Sequence, residues 1–152
     1  MTHTEEVAMN DPIANVLEHK GSDVVTVSPE TTVLVAVQQM NDRKIGALLV
    51  LERGRPVGIF TERDVLVRVV AAGADPETTP VSEVMTRNPV VVRSDVTVAD
   101  TMLVMTDKRC RHLPVVDDNK LRGLISIGDL TSWLVRHQQR TIDDLHDYMN
   151  RA

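Results

Sequence analysis

The chain has 152 residues, 42% of them hydrophobic, which suffices for one domain or for two small repeats that share a core and excludes a wholly disordered chain. Its 17 basic and 22 acidic residues give a net charge of −5, which opposes sequence-independent binding to nucleic acid. Cys110 is the only cysteine, so the chain can form no internal disulfide and suits a reducing compartment.

The amino-terminal part of the chain shows no targeting signal and one predicted helix. MTHTEEVAMN lacks the charged-then-apolar order of a signal peptide, and no run reaches the roughly 18 apolar residues of a membrane span. We therefore expect a cytoplasmic protein without membrane attachment. DPIANVLEHKG predicts a short amphipathic helix in which Asp11 is the cap, Pro12 lies in the first turn and Gly21 ends the helix.

Two segments then follow one pattern at a fixed spacing. Val25, Gly58 and Asp64 each meet the same residue 65 positions later, without a gap, which indicates duplication of one structural unit. Each copy predicts the same five elements in the same order. The first is a β-branched strand (VVTVSPETTV, VVVRSDVTVA), and the second is a helix (VLVAVQQMNDRK, VADTMLVMTDKR). A buried strand (IGALLVLE, RHLPVVDD), its hairpin partner (PVGIFT, LRGLIS) and a second helix that starts at Thr61 or Ser126 follow. The order predicts an α/β fold in which each repeat buries its helices on one face of a small sheet.

The remaining segments connect or extend the repeats. GADPETT (73–79) is a turn-rich linker, and PVSEVM after it predicts one helical turn opened by Pro80. The last helix continues through TSWLVRHQ, and TIDDLHDYM predicts a further amphipathic segment with Ile142, Leu145 and Met149 on one side. We place the first repeat with its amino-terminal helix at 13–76, the second at 80–138 and a helical extension at 139–152.

These features resemble a tandem CBS-domain pair of the stand-alone bacterial type, a module named after cystathionine beta-synthase. The resemblance covers residues 13–138 and rests on VVTVSP and NPVVVRSD, on RHLPVVDD, and on the two endings GIFTERD and GLISIGD. It implies two repeats packed by their sheets around a pseudo-twofold axis, and a homodimer that uses apolar residues at 64–72 and 129–137. It also implies a non-enzymatic sensor of energy or redox state that requires no cofactor and acts on an unidentified effector protein. The implied ligands are AMP, ADP, ATP or NAD(H), with AMP and NAD(H) foremost, and they bind in the clefts between repeats.

The repeated motifs TERD (61–64) and SIGD (126–129) have two readings. Thr or Ser followed three residues later by Asp is a helix capping box, which needs no ligand. The same residues also suit a nucleotide, because a helix amino terminus with a Thr61 or Ser126 hydroxyl can bind phosphate. Asp64 or Asp129 can then accept hydrogen bonds from the ribose hydroxyls. Duplication at the same place after a glycine-bearing strand favours the second reading.

The resemblance places the adenine between aliphatic walls and the phosphates near cations. The wall residues that it implies are Val25, Thr26, Val90, Val91, Ile45, Gly46, Ala47, His112, Leu113 and Pro114. The cations are Lys20, Arg63 and Arg111, with Arg63 and Arg111 flanking the motifs. The alternative reading makes the aliphatic residues plain core and the cations solvated charges. Gly128 stands where the first motif has Arg63, so the two sites are expected to differ.

Other functions find less support. The chain has no Gly-x-Ser-x-Gly elbow, Walker loop or dinucleotide fingerprint, and its five histidines lack metal-ligand spacing. The acidic balance opposes recognition of nucleic acid. Trp133 suits a core or dimer contact. The remaining alternative is a structural dimerisation module that binds no ligand.

Overall fold

The computed structural model describes residues 3–21 and 24–150, and their side chains except those of 3–5, 138–142 and 144. The helices are α1 His3–Asn10, α2 Ile13–Lys20, α3 Val33–Arg43, α4 Glu62–Asp64, α5 Val98–Lys108 and α6 Ile127–Asn150. A π-helix at Val65–Val70 continues α4, and a 3₁₀ turn spans Val81–Glu83. The strands are β1 Thr26–Val27, β2 Ala47–Glu52, β3 Arg55–Thr61, β4 Thr86–Arg87, β5 His112–Asp117 and β6 Lys120–Ser126. The mixed α/β fold with two repeats is therefore confirmed.

The first helix of each repeat begins and ends in the same way. Thr32 caps α3 by accepting from the Val35 amide, and Thr97 caps α5 by accepting from the Asp100 amide. Both helices end at a left-handed residue, Lys44 or its counterpart Arg109. Because each pair of equivalent residues is 65 positions apart, the structure reproduces the spacing of the sequence repeat.

The larger sheet has the order β1-β2-β3-β4, and β5 pairs with β6 in a separate hairpin. β1 runs parallel to β2, whereas β3 is antiparallel to both β2 and β4. Side chains along β2 alternate between two buried layers, as expected for a strand covered on both faces. Leu48 and Val50 pack with Phe60 and the buried faces of α3 and the π-helix, whereas Leu49 packs with Ile59.

The chain forms two compact units. One contains α1, α2, α5 and α6, and within it α1 packs against both α5 and α6 while α2 packs against α6. The other contains β1 to β4, α3, the π-helix and residues 114–124 of the second hairpin. Leu121 and Leu124 of that hairpin pack on the layer formed by Ala47, Leu49 and Ile59.

The amino-terminal region departs from the prediction. α1 was not predicted, and Asp11 does not cap α2: Pro12 is the N-cap residue, and no side chain makes a capping hydrogen bond. Instead, the Asp11 carboxylate accepts a hydrogen bond from Trp133 Nε1 at 3.1 Å. Gly21 does end the helix, and its amide donates to the Leu17 carbonyl at a φ of 94°.

One prediction for the second repeat was wrong. VVVRSDV does not form a strand of two or more residues, although its counterpart in the first repeat contributes β1. The last helix and the amphipathic segment beyond it form one continuous helix, α6, of 24 residues. No helix among the described residues is long and apolar enough to cross a membrane.

Candidate functional site

One backbone hydrogen bond positions the motif helix of each repeat. The Glu62 amide donates to the Gly46 carbonyl at 3.1 Å, and the Ile127 amide donates to the Arg111 carbonyl at 2.9 Å. These contacts are equivalent because both partners shift by 65 positions. Each motif therefore begins a helix beside the residue that leads into the central strand of its own repeat.

Both motifs are capping boxes. Asp64 accepts from the Thr61 amide at 3.0 Å, and its own amide donates to Thr61 Oγ1 at 3.2 Å. In the second motif, Asp129 accepts from the Ser126 amide at 2.8 Å and donates its amide to Ser126 Oγ at 3.1 Å. The capping reading is thus realised in each copy, and the two copies differ in what else their side chains contact.

Asp64 is enclosed by the protein. It is 6% exposed, and its Oδ2 accepts from the Thr61 hydroxyl at 3.2 Å as well as from the Thr61 amide. Its Oδ1 accepts from Thr86 Oγ1 at 3.3 Å and lies 3.8 Å from Arg68 Nε. Both carboxylate oxygens are therefore occupied by donors of the chain itself.

The contacts of Asp64 belong to a network that holds the segment before β4. Arg68 donates to the Met85 carbonyl at 2.6 Å, which ties the π-helix to residue 85. Gly58 of β3 lies against the same segment, because a Cβ at this position would come 2.9 Å from Met85 Cγ and 3.0 Å from the Thr86 carbonyl. Asp64 thus links the first motif to the strand that follows the linker.

Asp129 is more accessible. Its side chain is 21% exposed, and its Oδ2 accepts from Lys20 Nζ at 2.7 Å in addition to the Ser126 amide. Its Oδ1 accepts no hydrogen bond from a described residue. The Ser126 hydroxyl likewise donates to no described acceptor, whereas the Thr61 hydroxyl donates to Asp64. In the second motif, the hydroxyl proton of Ser126 and Oδ1 of Asp129 are therefore available, whereas the equivalent groups of the first motif are hydrogen-bonded within the chain.

The predicted cations lie in three different settings. Lys20 is paired with Asp129, whereas the exposed Arg63 and Arg111 side chains make no hydrogen bond or ion pair with a described residue. Arg111 also lines a cavity of about 300 Å³ beside the start of α6. The other residues around this cavity are Met105, Thr106, Arg109, Cys110 and Ile127.

Sequence reasoning missed Arg109 and Cys110 at this cavity. The spacing of 65 residues would have found Cys110, because it relates this residue to the predicted wall residue Ile45. By contrast, the counterpart of Arg109, Lys44, was not a candidate. Burial raises the pKa of the Cys110 thiol. The cavity therefore combines two arginines with a thiol that resists ionisation.

The predicted wall residues divide into accessible and buried ones. Val25, Ile45, Gly46 and His112 are half-buried, and Thr26, Val90 and Val91 are exposed. Ala47 and Leu113 are 4% and 1% exposed, and Pro114 is also buried. The side chains of these last three residues are part of the core and present no surface to a ligand.

A second group of polar and aromatic residues lies between α2 and α6. The Trp133 ring lies 4.8 Å from the His137 ring and 5.9 Å from the His19 ring, measured between centroids. The His137 Nε2 lies 3.8 Å from Asp11 Oδ2, the atom that accepts from Trp133. A cavity of about 370 Å³ borders this group. Trp133, expected in the core or at a dimer contact, is half-buried beside this cavity.

Comparison with known proteins gives consistent results. The sequence profile of the CBS domain matches residues 9–71 and 81–136. A crystal structure of a CBS-domain containing protein from Agrobacterium tumefaciens is 39% identical, with a TM-score of 0.76 over 80% of this chain and 98% of that one. A hexameric CBS-CP12 protein from bloom-forming cyanobacteria is 33% identical, with a TM-score of 0.73 over 81% of this chain and 67% of that one.

The sequences of curated relatives match this chain over different fractions of their own length. The CBS domain-containing protein YhcV of Bacillus subtilis is 36% identical over 78% of this chain and 84% of its own. An uncharacterised protein of Methanopyrus kandleri is also 36% identical, but the match spans about half, 56%, of that longer protein. With both repeats matched and with these relatives aligned over most of the chain, this protein belongs to the CBS-domain family.

Proposed function

We propose that this protein is a non-enzymatic regulatory module that binds adenosine nucleotides, AMP and NAD(H) foremost, mainly at the second motif (126–129). The observation that supports the proposal most is that one hydroxyl proton and one carboxylate oxygen at this motif have no hydrogen-bond partner among the described residues. The Ser126 hydroxyl has a proton to donate, and Asp129 Oδ1 has an acceptor position, within the part of the chain that the structure describes. A nucleotide supplies the matching phosphate oxygen and ribose hydroxyl.

The surroundings of the second motif suit a phosphate. The start of α6 offers the positive end of a helix of 24 residues, although the Ile127 and Asp129 amides already donate within the chain. Arg109 and Arg111 lie at the adjoining cavity, and Lys20 lies at Asp129. Lys20 can contact a phosphate while it neutralises Asp129, which lowers the repulsion between that carboxylate and the anionic ligand.

The first motif is less suited to a ligand. Asp64 is buried, and both of its oxygens already accept from Thr61 and Thr86. Because Asp64 is 6% exposed, a ribose could reach this carboxylate only if the residues that bury it moved. We therefore propose one principal nucleotide site per chain, where the sequence predicted two, with the first motif as its structural counterpart.

The alternative function, a dimerisation module, is favoured by one observation. The π-helix exposes Leu66, Val67 and Val70 to between 55% and 67%. Large apolar side chains grouped in this way mark contact surfaces. The cyanobacterial CBS-CP12 relative is hexameric, which supports self-association in a protein of this kind. We propose that this surface forms a homodimer and that the dimer passes nucleotide occupancy to an effector protein.

A thermal melt with a panel of nucleotides tests the proposal. AMP, ADP, ATP, NAD⁺ and NADH should each be added at millimolar concentration, with UMP as the control for a phosphate without adenine. A ligand at one hundred times its dissociation constant stabilises the folded state by about 2.7 kcal/mol. We expect adenosine nucleotides to raise the melting temperature more than UMP does. If none of them raises it, the ligand-free dimerisation module is the better description.

A further inference from the structure

A groove between α2 and α6 has the properties of a binding site and lies outside the repeated motifs. We define it by the residues that line its cavity of about 370 Å³, which are Asn15, Glu18, His19, Trp133, Arg136 and His137. A volume of this size is within the range of small-molecule sites. The groove lies within one compact unit, and the residues that line it belong to α2 and α6.

Trp133 gives the groove a fixed aromatic surface. The hydrogen bond from Nε1 to Asp11 holds the indole in one orientation, and His137 packs against the ring at 4.8 Å. A ring that is already ordered loses little entropy when a ligand stacks on it. His19 is exposed on the other helix and meets the indole edge-on at 5.9 Å. These contacts favour a planar ligand group.

The rim of the groove favours a planar group that carries an amide. Asn15 offers both a donor and an acceptor, Arg136 offers donors and Glu18 offers acceptors, and all three are exposed. A carboxamide needs one partner of each kind. A phosphate would lie near Glu18, a side chain of its own sign. A planar ring with a carboxamide therefore matches the groove better than a second phosphate.

The groove begins where the proposed nucleotide site ends. Asp129 and Trp133 are four residues apart on α6, so they lie on the same face of the helix about 6 Å apart along its axis. On α2, Lys20 contacts Asp129, and the preceding residue, His19, contacts Trp133. The ion pair and the aromatic contact therefore lie side by side between the two helices.

We infer that the groove holds the second ring of a dinucleotide whose adenosine ribose binds at Asp129. The inference rests on the proposed function and deepens it. The pyrophosphate lies at Lys20, and the second base stacks on Trp133 between His19 and His137. Trp133 then determines specificity, because a mononucleotide reaches Asp129 and Lys20 without filling the groove.

Titration of the full chain with NAD⁺ and with AMP tests this inference. Trp133 is the only tryptophan, so its fluorescence reports on the groove alone. We expect NAD⁺ to quench this fluorescence more than AMP does. By calorimetry, Trp133→Leu should weaken NAD⁺ binding by a few-fold to about tenfold, the range of an aromatic contact, and leave AMP binding unchanged. Because Trp133→Leu could impair folding, His19→Ala serves as a second variant at an exposed position and should also weaken NAD⁺ selectively.

The outcomes separate the two proposals. If AMP binds but NAD⁺ causes no greater quenching, or if the variants weaken both ligands equally, the groove inference is overturned while the proposed function stands. If neither nucleotide binds to the parent protein, the proposed function fails and the groove inference fails with it. Selective loss of NAD⁺ in both variants supports the groove.

Discussion

Lys20 Nζ lies 2.7 Å from Asp129 Oδ2, so the last residue of α2 is paired with the first turn of α6. The two residues are 109 positions apart in the sequence. Their side chains are 36% and 21% exposed, which leaves the pair open to solvent and to salt. A pair of this kind contributes little to stability but places a cation beside the carboxylate that we assign to ribose.

The first prediction concerns this pair. Lys20→Met should change the free energy of unfolding by less than about 1 kcal/mol, because an exposed ion pair stabilises weakly. It should nevertheless lower AMP affinity by about tenfold, since a charged hydrogen bond to phosphate is lost. Urea melts and calorimetric titrations measure the two effects. A variant that unfolds easily but binds AMP as the parent does would show that the pair is structural.

The second prediction concerns the buried aspartate. Asp64→Asn should lower the free energy of unfolding by about 1–3 kcal/mol, because its amide group places a donor among the donors of Thr61 and Thr86. Urea melts measure the change. Asp129→Asn is the matched control and should be milder, since Asp129 is partly exposed. Equal effects in the two variants would contradict the difference in burial that we describe.

The third prediction concerns the close approach at Gly58. Gly58→Ala should destabilise the chain, because the new Cβ would overlap Met85 and lie 3.0 Å from the Thr86 carbonyl. Overpacking of this kind costs about 1–3 kcal/mol in a urea melt. Met85→Ala should recover part of this loss in the double variant. Gly128→Ala is the control, since its Cβ would lie 3.6 Å from Ser126 Oγ, an ordinary contact. If both alanine variants melt like the parent, β3 does not approach residue 85 as closely as described.

Most of the fold could be predicted because the repeat carries the same local signals twice. Thr32 and Thr97 are good capping residues placed directly before apolar residues at helical spacing. The hairpins follow from short apolar runs that turn at polar residues. These signals are local in sequence, so they do not depend on which parts of the chain later come into contact.

The rest depends on contacts between distant residues. Asp11 looks like a helix cap, but Trp133, 122 positions away, binds its carboxylate. Asp64 and Asp129 belong to the same sequence motif, but Thr86, in a strand beyond the linker, donates to Asp64 and thereby helps to enclose it. VVVRSDV has the composition of a strand but forms no more than a single bridge residue, Val92, which shows that β propensity alone does not build a strand.

The fourth prediction concerns self-association. Leu66→Glu combined with Val70→Glu should convert a homodimer into a monomer in light scattering at tens of micromolar, because two charges would be buried at the contact. Leu103→Glu is the control, since Leu103 is 66% exposed on α5, outside the proposed surface. If the parent protein is already a monomer, or if only the Leu103 variant dissociates, the π-helix is not the dimer contact.

The two aspartates give the most direct test of the account. Calorimetric titration of AMP should be carried out on the parent, Asp129→Asn and Asp64→Asn, at a temperature at which urea melts show all three to be folded. We predict that Asp129→Asn weakens AMP binding by roughly ten- to a hundredfold, the equivalent of one charged hydrogen bond, while Asp64→Asn binds as the parent does. Parent-like binding by Asp129→Asn, together with loss of binding in Asp64→Asn, would contradict the assignment of the nucleotide to the second motif.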